Sequence, residues 1–273
     1  MENANKTNNI EKSQEKLKEE SIKNGYKIKN IYPRKNETVY TQGLILNNEN
    51  DNLYLYESGG LYEQSSLTKM HWPNQEIIKK ISLDKKYFGE GITLNEKNDK
   101  LYQLTWKENE IIVYNNMNND LIFEKIIELP KEIIEGWGFC KGLNSEYYVS
   151  NGTNKIFIIE LKNNVLEIKS ILNVKYEKID IDNINDLVFV NNYIWANRYY
   201  DDEIFKINSI NGKLEKNYSM KPLINYELET GKLTKETLNE GNVLNGITFD
   251  NLNKTFILTG KLWDNYYEIE FKE

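Results

Sequence analysis

Apolar residues in this chain fall in short runs that alternate with polar ones and end at polar turns, the period-two signature of strands. Tyr26-Lys27-Ile28-Lys29-Asn30-Ile31-Tyr32 is the first such run, and Pro33 ends it. The runs that follow repeat in a fixed order. Each copy opens on a head in which a functional side chain precedes a small residue and then a strand. The heads are Thr41-Gln42-Gly43-Leu44-Ile45, Phe88-Gly89-Glu90-Gly91-Ile92-Thr93, Gly136-Trp137-Gly138-Phe139, Ile184-Asn185-Asp186-Leu187-Val188 and Leu244-Asn245-Gly246-Ile247-Thr248. Their small residues stand at 43, 91, 138, 186 and 246, at intervals of 48, 47, 48 and 60.

A period of this size marks an array built from one supersecondary unit per copy. Later strands recur inside the copies, as in Leu101–Leu104, Glu110–Tyr114 and Leu121–Leu129 of the second. Four strands per unit make a propeller blade. The fifth copy reaches Glu273 after its third strand, so Tyr26–Tyr32 is left to complete it. The expected fold is all-β: a five-bladed β-propeller over 26–273, its ring closed by the N-terminal strand. A β-sandwich of similar strands would predict neither the period nor the closing strand. Residues 1–25 read as a polar leader, disordered or helical. The longest interval holds Pro222 to Gly241, expected as a loop or short helical excursion on one face.

Composition narrows the chemistry. A net charge of -7 with interleaved Lys and Glu leaves no basic stripe for nucleic acid or an anionic membrane. No apolar run has the length of a membrane span. The one cysteine, Cys140, excludes an internal disulfide, and the one histidine, His71, leaves no set of histidines for a metal or a triad. Both read as structural residues, and no catalytic metal is expected.

In a propeller the first strand of each blade lines the axis, so the leading residues Gln42, Glu90, Trp137, Asn185 and Asn245 converge at one mouth. Polar residues around an axial water channel are ordinary, and for Gln42 and Asn245 that bland reading is the stronger one. Glu90 is the one acid among the five, and a carboxylate beside a Trp wall is costly unless it is used. Trp106 and Lys107, Trp195 to Tyr199, and Lys261 to Trp263 end second strands near the same mouth. Their recurrence at equivalent positions favours a pocket.

The segments YTQGL (40–44), YESGGLYEQSSL (56–67), FGEGIT (88–93), LTWK (104–107), GWGF (136–139), NDL (185–187), WAN (195–197), NGI (245–247) and TGKLW (259–263) resemble the plant- and bacterial-type glutaminyl-peptide cyclotransferases. The matches run in order from about Tyr26 to the end. Departures are local: Tyr40 for the usual Phe, Glu63 and Thr68 in the YGxSxxR stretch, Asn151 for Asp, Val188 for an acid, and Tyr199 where a second Trp often follows.

The resemblance implies a five-bladed propeller that converts an N-terminal glutaminyl residue of peptides or proteins to pyroglutamyl and releases ammonia, without a cofactor. Glu90 is then the proton shuttle. Gln42 and Asn185 hydrogen-bond the amine or carboxamide, and Lys261 stabilises the oxyanion. Tyr40, Trp106, Trp137, Tyr199 and Asn245 complete the pocket, with Trp195 behind its wall. A monomer is expected. The resemblance also places the protein in the secretory pathway or outside the cytoplasm, although residues 1–25 lack the apolar stretch of a signal peptide. The rival readings are a non-catalytic propeller that binds a peptide or sugar, which has no need of Glu90, and a glycosidase, which needs two carboxylates across the pocket.

Overall fold

The computed structural model of the chain describes residues 2–116, 120–162 and 165–272. Its strands form five four-stranded antiparallel sheets and one short hairpin at 175–180. The sheets are the blades of a propeller. Their first strands are Thr41–Glu49, Gly89–Asn95, Phe139–Lys141, Ile184–Val190 and Leu244–Asp250. Each of these touches the next, and the fifth touches the first, so together they enclose the axis.

Alternation along the strands builds the core. Each blade buries one face against each neighbour, and the apolar clusters lie between blades rather than at the axis. Leu104, Val113, Phe139 and Phe157 fill the space between blades two and three; Ile158, Leu187 and Phe205 fill that between three and four. The strand Tyr26–Pro33 pairs antiparallel with Asn265–Phe271, Tyr26 opposite Phe271 and Pro33 opposite Asn265, and is the outermost strand of blade five.

The link from that strand into blade one is anchored in the interior. Arg34 donates through both terminal nitrogens to the Glu57 carboxylate at 3.0 and 2.9 Å, and its guanidinium lies 4.1 Å from the Tyr266 ring centroid. Burial alone would raise Glu57, but the Arg34 charge and its hydrogen bonds outweigh burial and hold the carboxyl below its ordinary range. Arg34→Met strands a buried carboxylate, so a loss of about 3–5 kcal/mol in urea unfolding is expected. A loss below about 1 kcal/mol, the level of a surface pair, would show that the pair does not fasten the ring.

Helix α1 (Glu2–Lys23) packs on helix α2 (Lys221–Thr230). The contact buries Leu17 and joins Lys16 to Glu229 at 2.7 Å. Helix α2 and helix α3 (Lys235–Asn239) make up the long insertion before blade five. Its exit brings Gly241 beside the rim of the mouth, where the Tyr40 hydroxyl donates to the Gly241 carbonyl at 3.4 Å.

Candidate active site

The heads differ from regular strands in one respect. The pairing register shifts between Thr41 and Gly43, Gly89 and Ile92, Ile184 and Leu187, and Leu244 and Ile247. A bulge re-aims the side chain beside it, and here that residue is Gln42, Glu90, Asn185 or Asn245. Glycine at these points lets one head approach the next. A Cβ on Gly91 would fall 2.6 Å from the Phe139 nitrogen and the Trp137 carbonyl oxygen. The Gly91 N–H donates to that carbonyl at 2.8 Å, so the heads of blades two and three are bonded through backbone.

The mouth is a cavity of about 190 Å³. Glu90 lies at its base and is 5% exposed. Gln42 Nε2 donates to Glu90 Oε1 at 3.1 Å, and the Ser58 hydroxyl donates to the Glu90 carbonyl oxygen at 2.5 Å. Burial raises the Glu90 carboxyl well above its ordinary value; Lys261 opposes this, while Asp186, Glu135 and Glu108 reinforce it. Lys261 is also buried, which lowers its ammonium to about 8 against the pull of Glu90 and Asp186. Its Nζ lies 4.7 Å from the Tyr40 ring centroid and 4.6 Å from that of Tyr199. Aromatic faces therefore hold the cation while its N–H groups remain for a ligand.

Asn185 lines the cavity with its Oδ1 buried and without a hydrogen-bond partner among the described residues. A buried acceptor left so is expensive unless a ligand supplies the donor. The walls are Trp106, Trp137, Tyr199 and Tyr40. Two wall residues, Leu61 and Phe88, were not anticipated. Phe88 opens the head that carries Glu90, a signal that could have found it. Leu61 comes from a loop without periodicity and carries a strained φ of 77°.

Two anticipated residues lie elsewhere. Trp195 is not in the wall: its ring stacks 4.8 Å from Phe271 and packs 4.7 Å from Phe256, in the core between blades four and five. The alternation along Tyr193–Arg198 aims it toward blade five, but too deep to reach the mouth. Asn197, two residues on, accepts from the Gly246 N–H at 3.1 Å, and Tyr199 reaches the rim. Asn245 is fully buried behind Gln42 and does not line the cavity. Its Nδ2 donates to the Thr41 carbonyl oxygen at 2.9 Å and to Gln42 Oε1 at 3.1 Å. That bond turns the Gln42 amide so that its NH₂ faces Glu90.

Glu135 was also missed, although it adjoins the Gly136-Trp137 head. Its Oε2 accepts from both indoles of the wall, Trp106 Nε1 at 2.8 Å and Trp137 Nε1 at 3.0 Å. Glu135→Ala frees both rings, and kcat/KM for a substrate of this pocket is expected to fall about tenfold or more, chiefly through KM. An unchanged KM would show that the rings are set by packing alone.

Among the described residues, no three His, Cys, Asp or Glu are grouped to hold a metal ion. A larger cavity of about 820 Å³ opens at the far ends of the first strands, and two of its acids, Glu49 and Asp250, are already engaged. Glu49 accepts from Lys69 at 2.8 Å, and Asp250 accepts from backbone N–H groups of its own turn.

Comparison with known proteins gives the family and agrees with the fold. The family profile described as glutamine cyclotransferase matches residues 3–271. The chain is 31% identical over 241 residues to a glutaminyl-peptide cyclotransferase of Arabidopsis thaliana, covering 86% of this chain and 68% of that protein. The crystal structure of Myxococcus xanthus glutaminyl cyclase superposes with a TM-score of 0.75 at 23% identity, over 90% of this chain and 96% of the other. The match to the profile over nearly the whole chain, together with the plant relative, places this chain in the glutamine cyclotransferase family.

Proposed function

We propose that this protein is a glutaminyl-peptide cyclotransferase in which Glu90 carries the proton from the attacking amine to the departing ammonia. The observation that carries the reading is the one carboxylate lining the mouth: buried, raised by its surroundings, and fixed by Gln42 at 3.1 Å. An N-terminal glutaminyl residue brings its own nucleophile, an α-amine of pKa about 7.7–8.0. Curling the side chain between Trp106, Trp137 and Tyr199 sets the amine against the carboxamide carbon and makes the attack unimolecular.

The amine nitrogen then bonds to the carboxamide carbon, and the carboxamide oxygen takes the negative charge. Lys261 meets that oxygen as a cation donor. Glu90 accepts a proton from the new ring nitrogen and gives it to the amide nitrogen. The C–N bond breaks, the carbonyl reforms, and ammonia and the pyroglutamyl ring separate. Asn185 Oδ1 accepts from the substrate amine, which supplies its missing donor.

A glycosidase would need a second carboxylate across the pocket. Glu135 is occupied by two indoles and Asp186 by backbone amides, which favours the cyclotransferase. The test incubates the purified protein with short peptides beginning Gln or Glu. The Gln peptide is expected to lose the mass of one ammonia and become resistant to aminopeptidase, while the Glu peptide persists. Ammonia release no faster than in buffer would overturn the reading.

A further inference from the structure

The fourth head breaks the pattern of the other four. Glycine stands at 43, 91, 138 and 246, and Asp186 stands at the equivalent place in blade four. The position is crowded: a Cβ on Gly138 would lie 2.0 Å from the Asn185 carbonyl oxygen. A charged side chain at 1% exposure there needs a compensating interaction.

That interaction comes from backbone. Asp186 Oδ2 accepts from the Ile247 N–H at 2.8 Å and Oδ1 from the Leu187 N–H at 3.0 Å. The Leu44 N–H of blade one also favours the anion. Each of the two bonded amides lies two residues beyond a leading residue: Leu187 beyond Asn185, Ile247 beyond Asn245. One carboxylate thus ties together the heads of blades four and five.

We infer that Asp186 is a positioning residue for the cyclisation, locking the heads of blades four and five in register so that Asn185, and Gln42 through its bond from Asn245, meet the substrate, and giving Lys261 a second negative neighbour. The inference rests on the cyclotransferase reading. Asp186 touches no part of the cavity directly, so it acts through its partners.

The charged groups around these residues are few. Lys261 faces Glu90 and Asp186 between the Tyr40 and Tyr199 rings. Glu90 faces Lys261, Asp186, Glu135 and Glu108. The buried Cys140 thiol also feels the Asp186 charge, though burial is the larger cause of its raised value. Burial pushes Asp186 itself up to about 8, so the charge it lends its neighbours develops as pH rises towards that value, while its backbone amide donors favour the anion. Removing its charge therefore lowers Lys261 and Glu90 together: an ammonium loses an attractive neighbour and a carboxyl loses a repulsive one.

The test compares Asp186→Asn with Asp186→Glu in the full chain by two readouts. Nitrogen NMR of the lysine side chains follows Lys261 without any turnover, and the kcat–pH profile follows the reaction. In the Asn variant the Lys261 midpoint should fall from about 8 towards neutrality, with kcat down about a hundredfold. Both limbs of the profile should move to lower pH. The Glu variant keeps the carboxylate, so it should hold the midpoint near the wild-type value and recover most of the turnover. An Asn variant with an unshifted midpoint, or with wild-type turnover, would reduce Asp186 to a steric plug. Where the Asn variant does not fold, Asp186→Ser removes the charge with a smaller side chain and is judged by the same two readouts. If the wild type itself does not release ammonia from Gln peptides, the cyclotransferase reading fails, and the Lys261 midpoint still decides the electrostatic link.

Discussion

Glu90→Gln lowers kcat by about 10²- to 10⁴-fold, the span of one general acid–base group, and leaves substrate binding nearly intact. The amide has the shape of the carboxyl, and its oxygen can still accept from Gln42 Nε2, which reaches Glu90 at 3.1 Å in the native chain. It cannot take up a proton. Any slow turnover that survives should rise with pH only through the substrate amine. The native enzyme should show a further acid limb, because burial raises Glu90 and its carboxylate forms only above that raised value. Single-turnover kinetics with a Gln peptide, paired with calorimetric binding of the same peptide to the variant, separates the two effects. Turnover within a few-fold of wild type would move the proton transfer to another group. Loss of binding with unchanged kcat would make Glu90 an anchor for the substrate ammonium.

Lys261→Met lowers kcat by about 10²- to 10³-fold, as loss of an oxyanion donor does, and also changes the shape of the pH profile. Lys261 is a cation below about 8 because burial has lowered it. Native turnover should therefore climb while Glu90 and the substrate amine lose protons, then decline as pH rises past about 8 and the lysine becomes neutral. The Met variant has no such group, so the decline disappears along with most of the rate. Lys261→Arg stays charged at any accessible pH, so it should extend the plateau to alkaline pH. Its longer, planar head fits the space between Tyr40 and Tyr199 less well, at some loss of kcat. An alkaline decline that persists in the Met and Arg variants would belong to another group, and Lys261 would lose its assigned role.

Much of the fold was legible because it is periodic. The five heads, their near-constant spacing and the missing strand of blade five are local or repetitive features. A closed ring follows from them once Tyr26–Pro33 is seen to lack a partner of its own. Glu90, Gln42, Asn185 and Trp137 could be grouped for the same reason, since equivalent positions in a propeller share a height on the axis. What alternation cannot convey is height within a blade. Trp195 lies within its strand and Tyr199 just past the strand's end at Arg198, at the same phase of the alternation, yet one lies in the core and the other at the rim. Asn245 leads its head as Gln42 does, but hydrogen bonds to Thr41 and Gln42 hold it behind the wall. The role of Glu135 depends on two indoles from different blades, and that of Asp186 on the Ile247 amide of another blade, far along the chain. Helix α1 shows no strong apolar stripe, and only its packing on α2 and on the strand Tyr26–Pro33 gives Leu17 a place to be buried. The repeat and its leading residues were therefore written in the sequence by itself. The tertiary structure decided which side chains reach the cavity and which hold the others in place, because hydrogen bonds and packing between blades leave no period to read.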